Sequence, residues 1–372
     1  MPQGAAIYNF QDARRQARKL LPRLAFDYIQ GDQEGRRDHF RGRTLVPKVL
    51  KGVVERNTNK TLLGRQYAKP FGIAPMGGAN LAWPSTDRMM CHLARSTNMP
   101  IGASTVATSS LENYWDWSEG QAWFQLYVSG DGSLAKKLCQ RAWAIGYRTL
   151  VLTVDVPVLG RRVNEKRNGF SLPFKMTSRT FFDFATHPSW SLASLTAGSP
   201  TMGNFAEPYK SQGYEWARDE SRAHVDMDWV RALRDNWTGS IIVKGVLSVE
   251  DALELQEIGV DAIQVSSHAD RQLARSVSPL TSLQNIRAAV GQDFPLLYDS
   301  GVQSGEDVLV ALALGADFVM IGKAWLFAAA AGQSQGLSAM YDLLADELDI
   351  AMAMCGLKSL NNIPTNIVDA EA

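Results

Sequence analysis

From residue 71 onward the chain repeats one unit, a short apolar run followed by a longer stretch with helical spacing. The runs are 71–76, 100–105, 122–128, 149–155, 241–246, 262–267, 295–300 and 318–322. Runs of this length read as buried strands, and 133–145, 248–258, 280–290 and 304–314 between them read as helices. Strands alternating with helices build a parallel sheet, because a parallel crossover needs a helix-length connection. Eight such strands in 372 residues fit a closed (β/α)8 (TIM) barrel. An open doubly wound sheet is the alternative, but no Gly-x-Gly-x-x-Gly turn follows a strand to support it.

Other segments dress this barrel. Residues 9–30 read as a helix, capped by Asn9 or Asp12 and ended near Gly31, and 36–66 read as extended segments and turns. The expected layout is one domain over 1–372, with an N-terminal cap at 1–70, the barrel at 71–330 and C-terminal helices at 331–372. The largest interruption, 174–228, falls after strand four and holds Pro188, Pro200 and Pro208, with Pro173 at its edge. Loops this long usually carry function or motion.

Charge and cysteine usage narrow the classes. Lys and Arg number 38, as do Asp and Glu, so the chain lacks the basic surface that nucleic-acid binding needs. Cys91, Cys139 and Cys355 are sparse and widely spaced, which gives no disulfide framework and fits a reducing, cytoplasmic setting. The first 21 residues are basic without an apolar core or cleavage site, so no signal peptide is expected. The apolar stretch 308–332 is interrupted by Asp317 and Lys323 and reads as helix–strand–helix rather than a membrane span. The histidines at 39, 92, 187, 224 and 268 lack metal-ligand spacing, and no metal is expected.

Barrel chemistry sits at the C-terminal ends of the strands. Strand one ends in Ala74-Pro75-Met76-Gly77-Gly78, strand two in Ser104 and Thr105, and strand three carries Gln125 and Tyr127. Strand four carries Thr153 and Asp155, followed by Arg161 and Arg162. Strand five carries Lys244, which in its apolar run needs an anionic partner. Strand six leads to His268 and Arg271, an acid/base group beside a guanidinium that can grip a carboxylate with two parallel bonds. Strand seven ends in Asp299-Ser300-Gly301 and strand eight in Gly322-Lys323, where glycines let backbone N–H groups approach a phosphate.

The motifs Phe124-Gln125-Leu126-Tyr127-Val128, Leu152-Thr153-Val154-Asp155, Leu159-Gly160-Arg161-Arg162, Val243-Lys244-Gly245, Ser266-x-His268-x-x-Arg271-Gln272-Leu273 and Ala311-Leu312-Ala313-Leu314-Gly315-Ala316 occur in this order. With them the chain resembles the FMN-dependent α-hydroxy acid dehydrogenases and oxidases almost end to end. The insertion motifs around 168–176 and His187-Pro188-x-Trp190-Ser191-Leu192 look most like bacterial (S)-mandelate and L-lactate dehydrogenases, in which this loop docks the enzyme on a membrane.

The resemblance implies FMN across the barrel mouth. His268 would be the base, oriented by Asp155. Arg271, Arg162 and Tyr28 would hold the substrate carboxylate, Tyr127 its hydroxyl, and Val106 would face its substituent. Lys244 would stabilise reduced flavin. Ala74, Pro75, Met76, Gly77, Ser104, Gln125, Thr153 and Ser266 would surround the ring, and Asp299, Gly301, Gln303, Gly322 and Lys323 the ribityl chain and phosphate.

The implied reaction is oxidation of a mandelate-like (S)-2-hydroxy acid to the 2-oxo acid, with electrons leaving to a quinone, another carrier or O2. A homotetramer, and peripheral contact of 174–228 with the inner membrane face, are implied as well. Departures from the family's pattern are Ala269-Asp270 where two small residues are usual, Ala274 for Asp, and Gln303 and Lys323 for two phosphate-binding arginines. Two rival readings stand beside this one: flavin-dependent oxidation of a hydroxy- or amino-acid group in natural-product or peptide biosynthesis, and a relative that has lost flavin and catalysis.

Overall fold

The computed structural model describes residues 6–31, 38–169, 176–198, 200–207, 209–216, 220–222, 224–361 and 363–370. Eight parallel strands close into a barrel: Phe71–Ile73, Ile101–Ser104, Ala122–Leu126, Thr149–Thr153, Ser240–Val246, Ala262–Val265, Leu296–Tyr298 and Phe318–Ile321. The ring closes where the last strand pairs with the first, Val319 opposite Phe71. Each expected run holds its strand, the fifth beginning one residue early at Ser240, and most strands stop short of the polar residues that ended the run, because those residues turn into the loops.

The two-residue period of a strand sorts the side chains. Leu150, Leu152, Ile241, Val243, Ile263, Leu296 and Tyr298 point outward into the core shared with the helices. Trp123, Val151, Ile242, Ala262, Leu297 and Phe318 point inward and pack a second core within the barrel. Two residues further along the same inward faces stand Gln125, Thr153, Lys244, Gln264 and Asp299. The alternation thus sets a polar layer directly on an apolar plug. A hairpin of Lys60–Leu62 and Arg65–Tyr67 closes the bottom, with Tyr67 edge-on to Phe318 at 5.3 Å and Trp123 at 6.5 Å.

The N-terminal region differs from the single expected helix. Helices Phe10–Leu20 and Arg23–Gln30 are separated by Leu21-Pro22. Proline forces the residue before it out of the helical region, and Leu21 is extended at φ −93°, ψ 137°. Asn9 does cap the first helix, accepting from the Asp12 N–H at 2.8 Å. That helix lies on the long helix Lys323–Met354, Phe10 meeting Phe327 edge-on at 5.8 Å. The long helix kinks at Gly332-Gln333, and after it Val368–Ala370 returns as a strand antiparallel to Arg43–Leu45. The C-terminal part is therefore one helical arm and a strand rather than helices alone.

The insertion after strand four carries helices Ser178–Ala185 and Pro188–Ala197. Thr177 and Thr180 form a capping box for the first, and Pro188 begins the second. Residues 170–175 of the motif around 168–176, with Pro173, and Pro208 lie outside the described residues, as do Arg36 and Arg37 of the 36–66 segment. Among the described residues no helix is long and apolar enough to cross a membrane.

Candidate active site

A cavity of about 1110 Å³ opens at the C-terminal mouth of the barrel. Gln125, Thr153, Lys244 and Asp299 of the polar layer form its floor, the ends of the eight strands its walls, and the insertion part of its roof. Ligand pockets commonly measure roughly 300–1,000 Å³, so this one has room for a large cofactor and a small substrate together.

His268 and Asp155 come from the loops after strands six and four, and meet across Gly245 of the intervening strand five. His268 Nδ1 is 2.9 Å from Asp155 Oδ1, which leaves Nε2 as the ring nitrogen away from the carboxylate. Gly245 sits at φ +105°, and a β-carbon there would stand 2.6 Å from the Asp155 side chain, so a glycine lets the carboxylate take this place. Burial alone would raise the Asp155 pKa, but the charges of His268 and Lys244 and the His268 hydrogen bond bring it below its ordinary value. His268, Ala269 and Asp270 run through three successive left-handed conformations, φ 54°, 53° and 58°. The loop thus keeps its tight turn without glycine, at a cost in backbone strain.

Lys244 finds the anionic partner its burial demands. Its Nζ donates to Ser266 Oγ at 2.8 Å and lies 3.2 Å from Asp299 Oδ2 and 3.9 Å from Asp155 Oδ2. Burial disfavours its charge, but Asp299 and Asp155 more than compensate and raise its pKa, so it is cationic. Ser266 in turn donates to Asp299 Oδ1 at 2.6 Å. It stands behind Lys244 rather than on the cavity wall. Gln125 accepts from Ser104 Oγ at 2.8 Å and donates to Thr153 Oγ1 at 3.0 Å, so one chain of hydrogen bonds orders the floor across strands two, three and four.

At one end of the cavity Arg271 and Arg162 converge. Arg271 donates through one nitrogen to the carbonyls of Tyr28, at 2.9 Å, and Ile29, at 2.7 Å, while its guanidinium also lines the cavity. Burial and then the nearby Arg162 charge lower its pKa, though a guanidinium stays protonated throughout the ordinary pH range. Arg162 is ion-paired with Glu165 at 3.2 Å. Tyr127 is held neutral, its hydroxyl pushed up to about 12 by burial and by the Asp155 charge. Tyr28 donates to the Gly77 carbonyl at 2.8 Å. Val106 lies against Gly77 on the same wall.

At the other end stand Gly301, Gln303, Gly322 and Lys323, while Asp299 lies beside Lys244 in the floor. Gly322 caps the helix Lys323–Met354, and a helix N-terminus beside a lysine is a natural anion seat. Hydrogen-bonding groups beside Ala74, Pro75, Met76 and Gly77 at the middle, with the anion seat at this end, fit a flat polar ring carrying a phosphate tail. That donor set and the volume match FMN.

Several lining residues carried no sequence signal. Trp216, stacked on Phe205 at 5.6 Å, and Arg222, whose guanidinium lies 4.9 Å from the Trp216 ring and 5.6 Å from that of Tyr127, come from the insertion. His39 Nε2 is 3.0 Å from both oxygens of Asp270, a buried pair 231 residues apart. Arg14 and Gln11 reach the cavity from the N-terminal helix.

A family described as FMN-dependent dehydrogenase matches residues 17–370. The (S)-mandelate dehydrogenase of Pseudomonas putida is 33% identical over 98% of this chain and 94% of that protein. An L-lactate dehydrogenase of Allorhizobium ampelinum is 35% identical over 97% of this chain and 99% of that protein. The crystal structure of a monotopic membrane protein, (S)-mandelate dehydrogenase, is similar with a TM-score of 0.92 at 32% identity, covering 98% of this chain and 100% of that one. A mandelate oxidase structure is similar with a TM-score of 0.82 at 29% identity, covering 98% of each chain.

Proposed function

The chain belongs to the FMN-dependent dehydrogenase family, and from that premise we propose that it oxidises a mandelate-like (S)-2-hydroxy acid to the 2-oxo acid, with His268 as the base. The class, an FMN-dependent 2-hydroxy acid dehydrogenase, follows from the family and from relatives named for mandelate and lactate. The observation that carries the proposal is that the His268–Asp155 pair shares one cavity with the converging guanidinium groups of Arg271 and Arg162.

Arg271 and Arg162 bind the substrate carboxylate, whose charge relieves their mutual repulsion. Tyr127, being neutral, donates a hydrogen bond to the substrate oxygen. His268 takes the proton that the substrate gives up, and Asp155 stabilises the imidazolium that results. Bound FMN supplies the two-electron oxidant. Lys244, fixed by Ser266 and Asp299, holds positive charge where negative charge accumulates. Val106, Leu159 and Trp216 line the cavity with apolar surface, which favours an aromatic substituent over a methyl group.

The roof supports a lipid-dissolved quinone as electron acceptor. Met176, Phe181, Leu192 and Leu195 are 57–78% exposed and also line the cavity, so its mouth opens within an apolar patch that includes Phe182. Such a patch seats on a membrane surface. Anaerobic mixing of purified enzyme with (S)-mandelate and L-lactate, followed by flavin absorbance, tests the substrate: mandelate should bleach the flavin faster, and faster bleaching by lactate overturns the assignment. A short-chain quinone should then reoxidise the enzyme faster than air does, and rapid peroxide formation would reverse that assignment.

A further inference from the structure

A phosphate monoester carries close to two negative charges at neutral pH, and the barrel side of the cavity meets it with few cations. Lys323 stands at the anion seat, beside the neutral Gln303. Asp38 lines this end too, and the Asp307 carboxylate lies just behind it, accepting from the Gln303 N–H at 2.8 Å. These carboxylates offset Lys323, so the helix N-terminus and one lysine leave room for a further cation from outside the barrel to balance a dianion.

The helix Phe10–Leu20 brings one. Gln11 Nε2 donates to Gln303 Oε1 at 3.0 Å, which fixes the helix against this end of the cavity. Arg14 stands one turn further on the same face and lines the cavity. Its Nε donates to Oε1 of the buried Gln30 at 2.8 Å, a bond that fixes the plane of the guanidinium. Arg56, Arg141, Arg234 and Arg287 are each ion-paired with a carboxylate. Arg14 has no such partner among the described residues. A half-buried guanidinium without an acid, oriented by a buried amide and facing a cofactor cavity, is a site for an anion.

We propose that Arg14 binds the phosphate of the cofactor, closing over it from the N-terminal helix opposite Lys323. The inference rests on FMN occupying this cavity with its phosphate at the Gly322–Lys323 end. It makes the N-terminal helix part of the cofactor site rather than a cap that only covers the barrel.

The test uses FMN and riboflavin, which differ only in the phosphate, titrated into the full-length apoprotein and followed by quenching of flavin fluorescence. Arg14→Gln should weaken FMN by about ten- to a hundredfold, the worth of a lost charged hydrogen bond, and leave riboflavin within about twofold. Arg14→Lys should fall between wild type and Arg14→Gln for FMN, since the charge remains and the planar fork is lost. The 31P resonance of bound FMN should also shift in Arg14→Gln. Unchanged FMN affinity in Arg14→Gln overturns the proposal. So does an equal loss for both flavins, which would mark a structural role. A wild-type protein that binds neither flavin overturns instead the placement of FMN in this cavity.

Discussion

Nδ1 of His268 lies 2.9 Å from Oδ1 of Asp155, and the carboxylate takes that position because Gly245 leaves it room. A base oriented in this way should be separable from cofactor binding. His268→Gln is expected to keep its flavin and to slow anaerobic flavin reduction by about 10²–10⁴-fold. Asp155→Asn should slow it in the same direction. Stopped-flow reduction checks both, and near-normal rates in His268→Gln would remove the histidine from the role of base.

Arg271 donates to two backbone carbonyls through one nitrogen and lines the cavity beside Arg162. Arg271→Met should weaken the transition state for the free acid by about 2–5 kcal/mol if the site is dry. The methyl ester of the same substrate lacks the anion and should be a poor competitor in the wild type. Equal competition by ester and acid would contradict the carboxylate clamp.

A β-carbon on Gly77 would stand 2.7 Å from Val106 Cγ2 and 3.2 Å from the Val106 carbonyl oxygen. Gly77→Ala should therefore force Val106 to move and lower stability. In Gly77→Ala/Val106→Ala the side-chain clash is gone, so the two changes should be non-additive by about 0.5–3 kcal/mol. Chemical denaturation of the three variants reads the coupling, and strict additivity would refute the contact.

Two neighbouring glycine substitutions should have opposite signs. Ala269 is left-handed at φ 53°, ψ 42° and makes no side-chain hydrogen bond. Ala269→Gly should stabilise by about 0.5–1 kcal/mol, the relieved strain less glycine's larger unfolded entropy. Asp270→Gly relieves similar strain but strips both oxygens from the buried His39. Leaving a buried ring nitrogen without its partner costs about 1–3 kcal/mol, and glycine's larger unfolded entropy adds to that, so this variant should be less stable than wild type. Denaturant midpoints decide, and a stabilising Asp270→Gly would show that the His39 pair contributes little.

Asp307 carries a pH signature. Burial raises its carboxyl to about 6, against the pull of the Gln303 and Ser304 N–H groups. The unfolded carboxyl ionises near the ordinary 3.8, so the folded state holds its proton to higher pH. Stability from this group therefore rises as pH falls from 7 through 6 toward 4, and it is lost in the reverse direction. Asp307→Asn has nothing to titrate. The stability difference between wild type and Asp307→Asn should shift toward wild type by about 2–3 kcal/mol over that range. A flat difference would mean that the carboxyl is not perturbed.

The barrel and its polar layer were legible in the sequence because both rest on local pattern. A strand alternates every two residues, so Val151 inward makes Thr153 inward, and Ile242 makes Lys244 inward. The break at Leu21-Pro22 was legible in principle too, since it rests on proline's lack of an N–H and its clash with the residue before it. What only the tertiary structure decided are meetings between segments with no common period. Asp270 finds His39 across 231 residues, and Gln11 finds Gln303 across 292. The left-handed path of His268-Ala269-Asp270 is of the same kind, because nothing in an alanine calls for positive φ. Such contacts depend on how finished elements pack against one another. The sequence determined the strands and their inward residues, and the packing of the N-terminal helix on the barrel's closing helix decided that Gln11 and Arg14 line the cavity.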